Sequence, residues 1–411
     1  MAGAGRLALG VLALCAGLNL LARGVADTYA VFLVPLAEAF AVERGVLTGV
    51  YSVYMLVYGL AAPLAGIAFD RFGPRAVYAA GLACLGGGYF AAGGVSAVWQ
   101  LYLLIGFIGG IGSVALGIVP ASGLVSRWFR RRLPSAMSVL HAALGIGVLL
   151  FAPLTQWLIE RAGWRGAYHI IGLVLLALAP LLLLLLPWRR ITAGHPEYAE
   201  RAADAPPPGA RGALARALRM PAFWGLFTVM FVTALATFAV LVQLVAYLVE
   251  VGFAPLEAAS LYGTMGMLSI VGMLAAGALA ERFEERYVAT LSYSSTILGI
   301  GVLALLAWYP SFVLAGAFVL LFGTMQGSRG PLVTTLAARL FARSGFGAVY
   351  GCISLGMGLG GALGSWSSGA LHDVTGSYGA GYVLAAAAAG AGIALFWLVG
   401  ALAQPATSRT G

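Results

Sequence analysis

The 411-residue sequence predicts an all-α membrane protein whose twelve transmembrane helices form two six-helix repeats. Three observations lead to this fold class: a very apolar composition, twelve apolar runs of spanning length, and a ten-residue motif that occurs twice. Hydrophobic residues make up 61% of the chain, charged residues only 9%, and the mean hydropathy is +0.96. Because a water-soluble protein of this length needs more polar residues to cover its surface, the composition predicts a membrane protein.

Each apolar run is long enough to cross about 30 Å of hydrocarbon as an α-helix. Numbered as the first to twelfth spans, the runs cover residues 7–36, 46–69, 76–96, 99–126, 135–159, 167–187, 221–249, 256–280, 288–308, 311–338, 346–371 and 378–402. The first run follows Arg6 and could be mistaken for a signal peptide. It continues past Arg23 to Pro35, however, so we predict an uncleaved span.

The stretch between the sixth and seventh spans interrupts the apolar pattern. It contains His195-Pro196, three consecutive prolines at 206–208 and several charges. This composition is typical of linkers. We therefore predict an N-terminal six-helix bundle at 1–187, a cytoplasmic linker at 188–220 and a C-terminal six-helix bundle at 221–411.

The distribution of arginine residues predicts the orientation of the chain. If the N-terminus is cytoplasmic, 18 of the 23 basic residues lie in cytoplasmic segments and only Arg44, Arg161 and Arg165 lie on the other side. The opposite orientation would violate the positive-inside rule. Both termini are therefore predicted to be cytoplasmic, and topology rather than nucleic-acid binding explains the net charge of +9.

A ten-residue motif occurs once in each half, as GIAFDRFGPR and as GALAERFEER 211 residues later. The matching positions are Gly66, Asp70, Arg71 and Arg75 in the first copy, and Gly277, Glu281, Arg282 and Arg286 in the second. Both copies lie in short loops between spans. An acidic residue there can cap the N-terminus of a facing helix and pair across the seam between two bundles. We predict gating loops that latch the closed bundles; basic anchors at a membrane face are the alternative.

The pattern G-x-x-x-D-R-x-G-x-R between the second and third spans resembles the signature loop of the major facilitator superfamily, and the weaker copy lies between spans eight and nine as in that family. The resemblance implies alternating access, with substrate bound near the midplane between two parallel halves. The stretches 28–40, 329–341 and 353–378 resemble the bacterial branch of monocarboxylate transporters and oxalate/formate antiporters. This implies a carrier of a small organic anion in the bacterial cytoplasmic (inner) membrane. The anion-binding Arg that this branch usually has in the eighth span is absent from 256–280, and the Lys that its exchangers have in the eleventh span has no counterpart.

Two arginine residues remain inside spans, Arg23 in the first and Arg329 in the tenth. A charged side chain at mid-membrane costs at least ~2.5 kcal/mol on insertion scales, so such a residue usually faces a cavity or a partner. The resemblance implies that both spans line the central cavity. The guanidinium of Arg329 could bind a carboxylate by two parallel hydrogen bonds. Its alternative role is a structural pair at a bend near Pro331.

Asp27 lies four residues after Arg23, on the same helix face, so the two side chains can pair within the span. An acid that alternates between pairing with arginine and holding a proton could couple transport to protons. Asp27 is therefore the first candidate for proton coupling and His141 the second. The alternatives are a pair that only neutralises itself and a histidine that only packs in the core.

Energetics favour proton coupling. Moving a monoanion towards a negative interior costs ~2.3 kcal/mol per charge per 100 mV, and a co-transported proton removes that cost. Proton symport is the favoured mechanism, and anion exchange stays open because an exchanger needs no titrating group.

Neutral polar side chains inside the spans supply further hydrogen-bonding groups for a substrate. The predicted substrate contacts of this kind are Asn19, Tyr29, Thr237, Gln243 and Gln326. Tyr51, Tyr54 and Tyr58 recur at helical spacing in the second span, and we interpret them as a packing stripe.

The sequence lacks the motifs of soluble enzymes. It contains no phosphate-binding G-x-x-x-x-G-K-[ST] motif, no Cys/His metal cluster and no nucleophile triad, so we expect no enzyme activity, no cofactor and no metal. The three cysteines lie in apolar runs and are interpreted as buried small residues. The expected partners are an organic anion, protons and the bilayer, with the chain acting as a monomer. An exporter of apolar or cationic compounds and a relative that transports nothing are the alternatives.

Overall fold

A computed structural model describes residues 2–129, 133–195, 215–341 and 346–399, and the regular structure within these ranges is helical. The α-helices run Ala2–Asp27, Tyr29–Phe40, Arg44–Ala92, Val98–Leu101, Gly109–Leu116, Ile118–Ser126, Leu133–Leu185, Trp188–Ala193, Pro221–Glu250, Pro255–Arg282, Glu285–Leu305, Phe312–Phe318, Thr324–Gln326, Arg329–Phe341, Phe346–Thr375 and Gly379–Leu398. Short π-helices occupy Tyr102–Ile108 and Val319–Gly323.

The predicted spans coincide with these helices. Among the described residues, eight helical segments are long and apolar enough to cross a membrane, and two of them, Arg44–Ala92 and Ser135–Leu185, each contain two predicted spans. The tenth span is divided into shorter pieces, and the eleventh is the helix Phe346–Thr375. The structure therefore confirms the all-α membrane fold.

Glycines with positive φ divide the two longest helices into separate spans. Gly73 has φ 78° and ψ 167°, and Gly163 has φ 68° and ψ 169°. Residues with a Cβ rarely adopt this conformation, so glycine allows the sharp bend. Gly73 is the second glycine of the repeated motif. In the second copy the matching position is Glu284, with φ −64°, so the two loops turn differently.

The hydrophobic core continues from one half of the protein into the other. Phe238 and Val242 of the seventh span belong to the core that fills the first six spans. Conversely, Ala30 and Val31 of the first span belong to a core formed mainly by spans seven to ten and twelve. The first and seventh spans therefore lie where the N-terminal half, spans one to six, meets the C-terminal half, spans seven to twelve.

Glycines also allow the two halves to touch backbone to backbone. A Cβ added at Gly59 in the second span would lie 3.0 Å from the Cα of Gly358 in the eleventh. A Cβ added at Gly145 in the fifth span would lie 2.1 Å from the carbonyl oxygen of Gly266 in the eighth. Larger residues at these positions would separate the helices.

The predicted linker begins with a helix that packs on the N-terminal half. The indole Nε1 of Trp128 donates to the Ile191 carbonyl over 2.8 Å, and the Trp188 ring lies 6.4 Å from the Tyr78 ring. Residues 196–214 of this linker lie outside the described ranges. The domain limits at 187 and 221 remain predictions.

Candidate functional site

The first span is interrupted at Thr28, between the helices Ala2–Asp27 and Tyr29–Phe40. The Thr28 hydroxyl and the Tyr89 hydroxyl donate to the Val25 carbonyl over 2.6 and 3.0 Å. The Tyr262 hydroxyl of the eighth span donates to the Asp27 carbonyl over 3.2 Å. Side chains from two other spans therefore satisfy backbone groups at the break that contains Asp27.

Arg23 and Asp27 form the ion pair that their spacing predicts. The distance from Arg23 Nε to Asp27 Oδ2 is 3.2 Å, and the two side chains are 15% and 12% exposed. The Tyr51 hydroxyl donates to Asp27 Oδ1 over 2.7 Å. Both carboxylate oxygens of Asp27 are thus engaged, which lowers the cost of burying the charge.

Aromatic rings from both halves surround the Arg23 guanidinium. Its central carbon lies 5.8 Å from the ring centroid of Tyr58 and 5.8 Å from that of Phe238. Such cation–π contacts stabilise a buried cation. Arg23 Nη1 is buried and has no hydrogen-bond partner among the described residues. This cation at the junction of the halves therefore retains an unused donor.

The tyrosines of the second span line this pair, which corrects their interpretation as packing alone. Neighbouring ring centroids are 5.2 Å apart for Tyr51 and Tyr54, and 6.0 Å apart for Tyr54 and Tyr58. Tyr51 binds Asp27 directly. The helical spacing of the three tyrosines predicted that they lie on one face of the second span, but nothing in the sequence indicated that this face contacts Arg23. Tyr262 gave no comparable signal.

Of three predicted site residues near the first span, Asn19 and Tyr29 connect neighbouring helices, whereas His141 does not. Asn19 Nδ2 donates to the Leu140 carbonyl over 2.9 Å, and the Tyr29 hydroxyl donates to the Leu47 carbonyl over 2.7 Å. A ring nitrogen of His141 lies 2.9 Å from the carbonyl of Met137 in its own helix. The Tyr29 ring stacks on that of Tyr51, which binds Asp27, with the two centroids 5.9 Å apart.

The other neutral candidates lie in the C-terminal half. Gln243 Nε2 donates to the Ser368 hydroxyl over 3.2 Å, and Gln326 Nε2 donates to the Met265 carbonyl over 3.4 Å. Thr237 is buried in the seventh span, one residue before Phe238. Thr237 directly precedes Phe238, whose ring contacts Arg23, while the two glutamines connect helices of their own half.

Arg329 belongs to a second polar cluster. Its Nε donates to the Ser292 hydroxyl and its Nη2 to the Ser292 carbonyl, both over 3.1 Å, and Nη2 also donates to Thr296. The guanidinium lies 4.2 Å from the centroid of the Tyr293 ring. The side chain is only 2% exposed. These contacts are with the ninth span, so the structure does not bring Arg329 to the Arg23 pair.

The halves are joined at the end of the molecule where the second span begins, which we call the Arg44 end. Asp373 accepts hydrogen bonds from the backbone N–H groups of Arg44 and Gly45 over 3.0 and 2.6 Å. The Arg44 guanidinium binds Glu250 and the hydroxyl of Tyr378. A carboxylate of the C-terminal half therefore caps a helix of the N-terminal half.

The motif loops lie at the opposite end, which we call the Asp70 end, and make no comparable connection. Among the described residues, Asp70, Arg71 and Arg75 are exposed and form no hydrogen bond or ion pair. In the second copy Arg286 pairs with Glu284 over 2.6 Å within its own loop, and Arg282 is exposed. The Glu281 side chain lies outside the described residues, and a Cβ added at Gly277 would meet nothing within 4 Å. The predicted latch therefore remains a prediction for another conformation.

The class of protein follows from this arrangement. Twelve spans form two halves, an ion pair lies at their junction, and contacts between the halves join them at the Arg44 end, whereas the described side chains of the Asp70 loop are exposed. These are the features of a membrane carrier rather than an enzyme.

The chain belongs to the Major Facilitator Superfamily, whose family model matches residues 12–347. Monocarboxylate transporter 13 of Bos taurus is 30% identical over 379 residues, which cover 90% of this chain and 84% of that protein. An uncharacterized MFS-type transporter of Bacillus subtilis, YcxA, is 29% identical over 175 residues, which cover 42% of this chain and 41% of that protein.

A solved structure has the same fold. The xylose transporter XylE from E. coli, in a partially occluded inward open conformation, superposes with a TM-score of 0.71 at 15% identity and covers 98% of this chain and 99% of its own. The family match, together with the apolar spans, makes this chain a multi-pass membrane transporter.

Proposed function

We propose that this transporter carries a small organic anion, a monocarboxylate, by alternating access and together with a proton. The observation that carries the proposal is the Arg23–Asp27 ion pair, 3.2 Å across, at the junction of the two halves. Groups from both halves contact it, since Tyr51 belongs to the second span and Phe238 to the seventh. The similarity to a monocarboxylate transporter supports the anionic substrate.

The charges of the pair support coupling to one proton. When Asp27 is ionised, the pair is neutral, and a bound monoanion would leave a net charge of −1 in the membrane. When Asp27 is protonated, Arg23 and the monoanion neutralise each other. Because uncompensated charge at this depth is costly, the loaded carrier crosses most easily with one proton and one monoanion.

Contacts at the two ends support alternating access. With arginine-rich segments inside, the Arg44 end is the outer end, and both termini are cytoplasmic. The Arg44 end is closed by Asp373 and Glu250, whereas the loop containing Asp70 is exposed. We assign this arrangement to an inward-facing state, and the motif loops to the latch of the opposite state. We place the protein in a bacterial cytoplasmic membrane, as a monomer.

Other predicted site residues have secondary roles in this proposal. Tyr29 supports the ring of Tyr51, and Thr237 lies beside Phe238 in the seventh span. Arg329 holds the ninth span through Nε and Nη2, and its Nη1 is the nitrogen left for a substrate. His141 serves as an alternative proton carrier only if Asp27 is dispensable.

The test is uptake of a radiolabelled monocarboxylate, L-lactate or benzoate, into vesicles with an imposed pH gradient, alkaline inside. Wild type should accumulate the anion. Asp27→Asn should lose proton-driven accumulation but retain exchange of internal for external anion, because its site keeps the charge of the protonated state. Glu38→Gln, which changes an exposed acid in the same span, is the matched control and should behave as wild type.

Two results would change the mechanism. Undiminished proton-driven accumulation by Asp27→Asn would exclude Asp27 as the coupling group. Wild-type uptake that ignores the pH gradient but requires internal anion would establish exchange. Stabilisation by cationic compounds and by no carboxylate, in a thermal-shift screen, would instead favour the exporter.

A further inference from the structure

Three buried polar groups beside the Arg23–Asp27 pair form no hydrogen bond of regular geometry. These are Arg23 Nη1 of the first span, the Tyr54 hydroxyl of the second and the Ser113 hydroxyl of the fourth. The Tyr54 and Ser113 hydroxyls face each other, and Arg23 Nη1 has no partner among the described residues. Tyr54 is 2% exposed and Ser113 is fully buried. If one hydroxyl donates to the other, the second O–H and Arg23 Nη1 remain as two unused donors. Because buried polar groups are nearly always hydrogen-bonded, two unused donors in one region indicate a missing acceptor.

The packing of the fourth span on the second places Ser113 at the level of these tyrosines. A Cβ added at Gly110 would lie 3.2 Å from the Tyr54 carbonyl oxygen, and one at Gly117 would lie 3.1 Å from the Tyr58 hydroxyl. Ser113 is three residues after Gly110 and four before Gly117, on the same helix face. Its hydroxyl therefore faces the edge of the second span that carries Tyr54 and Tyr58.

The missing partner has to be an acceptor that the protein does not supply. The nearest carboxylate, Asp27, already binds Arg23 through one oxygen and Tyr51 through the other. A guanidinium nitrogen and two hydroxyls form a donor-rich site, and a carboxylate offers two oxygens with about four acceptor positions. A cation at the site makes an anionic acceptor more favourable than a neutral one.

We propose that Arg23 Nη1, Tyr54 and Ser113 bind the carboxylate of the transported anion. The inference rests on the proposed function and adds Tyr54 and Ser113 as binding residues. It also specifies a single carboxylate group, because Arg23 is the cation that the described residues place at this site, whereas Arg329 lies against the ninth span in a separate cluster, although its Nη1 also has no partner there. The rest of the substrate would pack against the rings of Tyr58 and Phe238, which lie 5.8 Å from the guanidinium.

The experiment measures the affinity of purified protein for benzoate and L-lactate by thermal shift, with succinate as the dicarboxylate. Tyr54→Phe removes only the hydroxyl and should weaken monocarboxylate binding on the order of tenfold, because it deletes a hydrogen bond to a charged group. Its melting temperature without ligand should be unchanged or higher, since an unsatisfied hydroxyl has been removed. Ser113→Ala should also weaken binding, by roughly fivefold.

Tyr168→Phe is the matched control, because the Tyr168 hydroxyl is also buried without a partner but lies in a different aromatic cluster, with Phe32 and Tyr89. It should keep wild-type affinity. The inference is overturned if Tyr54→Phe and Ser113→Ala both bind like wild type, or if Tyr168→Phe loses as much affinity as they do. Ser113→Ala alone decides the matter if Tyr54→Phe does not fold.

The two proposals fail in different ways. If wild type binds neither monocarboxylate, the proposed function fails as well. If wild type binds them and both hydroxyl variants match it, only the assignment of Tyr54 and Ser113 fails. Succinate binding as tight as that of benzoate would refute the single-carboxylate site.

Discussion

Replacing Asp373 by Ala should open the Arg44 end. The Asp373 carboxylate accepts two backbone hydrogen bonds, over 3.0 and 2.6 Å, at the N-terminus of a helix in the other half. Loss of a helix cap costs about 0.5–2 kcal/mol, and loss of a negative charge near the helix dipole costs about 0.3–1 kcal/mol. A total of about 1–3 kcal/mol would shift the ratio of open to closed molecules about 5- to 150-fold.

A distance measurement tests this shift directly. Ser96→Cys and Val313→Cys provide two exposed spin-label sites at the Arg44 end, one in each half, with Cys84 and Cys352 replaced by Ser. Double electron–electron resonance should show more molecules with a long distance between the two labels in the Asp373→Ala protein than in the parent. Uptake should fall, because the return to the inward-facing state becomes rarer.

Glu257→Ala provides the control for this experiment. Glu257 accepts a backbone hydrogen bond from Ala254 over 2.9 Å and caps the helix that starts at Pro255, so donor and acceptor belong to the same half. It should lower the melting temperature without changing the distance distribution. Identical distributions in parent and Asp373→Ala would refute the reasoning, because they would show that the capping bonds do not hold the halves together.

Two further predictions concern the arginine of the tenth span and the motif loop. Arg329→Lys should lower the melting temperature at wild-type carboxylate affinity, because an ammonium group cannot reproduce the planar contacts with Ser292 and Thr296. A weaker carboxylate affinity at an unchanged melting temperature would instead show that Arg329 binds substrate. Asp70→Asn should reduce the transport rate in reconstituted vesicles while leaving membrane insertion intact, because the lost charge weakens the latch of the opposite conformation. A transport rate equal to that of wild type would argue against the latch.

The sequence predicted the features that depend on local pattern. Apolar runs of spanning length give helices in a bilayer whatever their neighbours are, so the spans were accessible from the sequence. The ion pair between Arg23 and Asp27 was equally accessible, because a separation of four residues on one helix brings side chains together.

Contacts between distant spans were not accessible in this way. Asp373 caps a helix that begins more than three hundred residues earlier, and Tyr262 binds the Asp27 carbonyl from the other half. No sequence periodicity records such pairings, because they depend on which helices become neighbours. The chemistry expected of the motif loops, an acid that caps a facing helix across the seam, occurs in this structure at the opposite end.

The break in the first span has a mechanical consequence. The Asp27 carbonyl accepts a hydrogen bond from the hydroxyl of Tyr262, which belongs to the other half. The N–H of Val31, which would donate to the Asp27 carbonyl in a regular α-helix, donates to the Thr28 carbonyl instead. If the halves part at this level, the carbonyl loses its donor, and the Val31 N–H is the helical partner available to it. The peptide would then rotate and turn the Asp27 side chain relative to Arg23. We therefore expect the Tyr262 hydrogen bond to couple the relative movement of the two halves to the orientation of the Asp27 side chain.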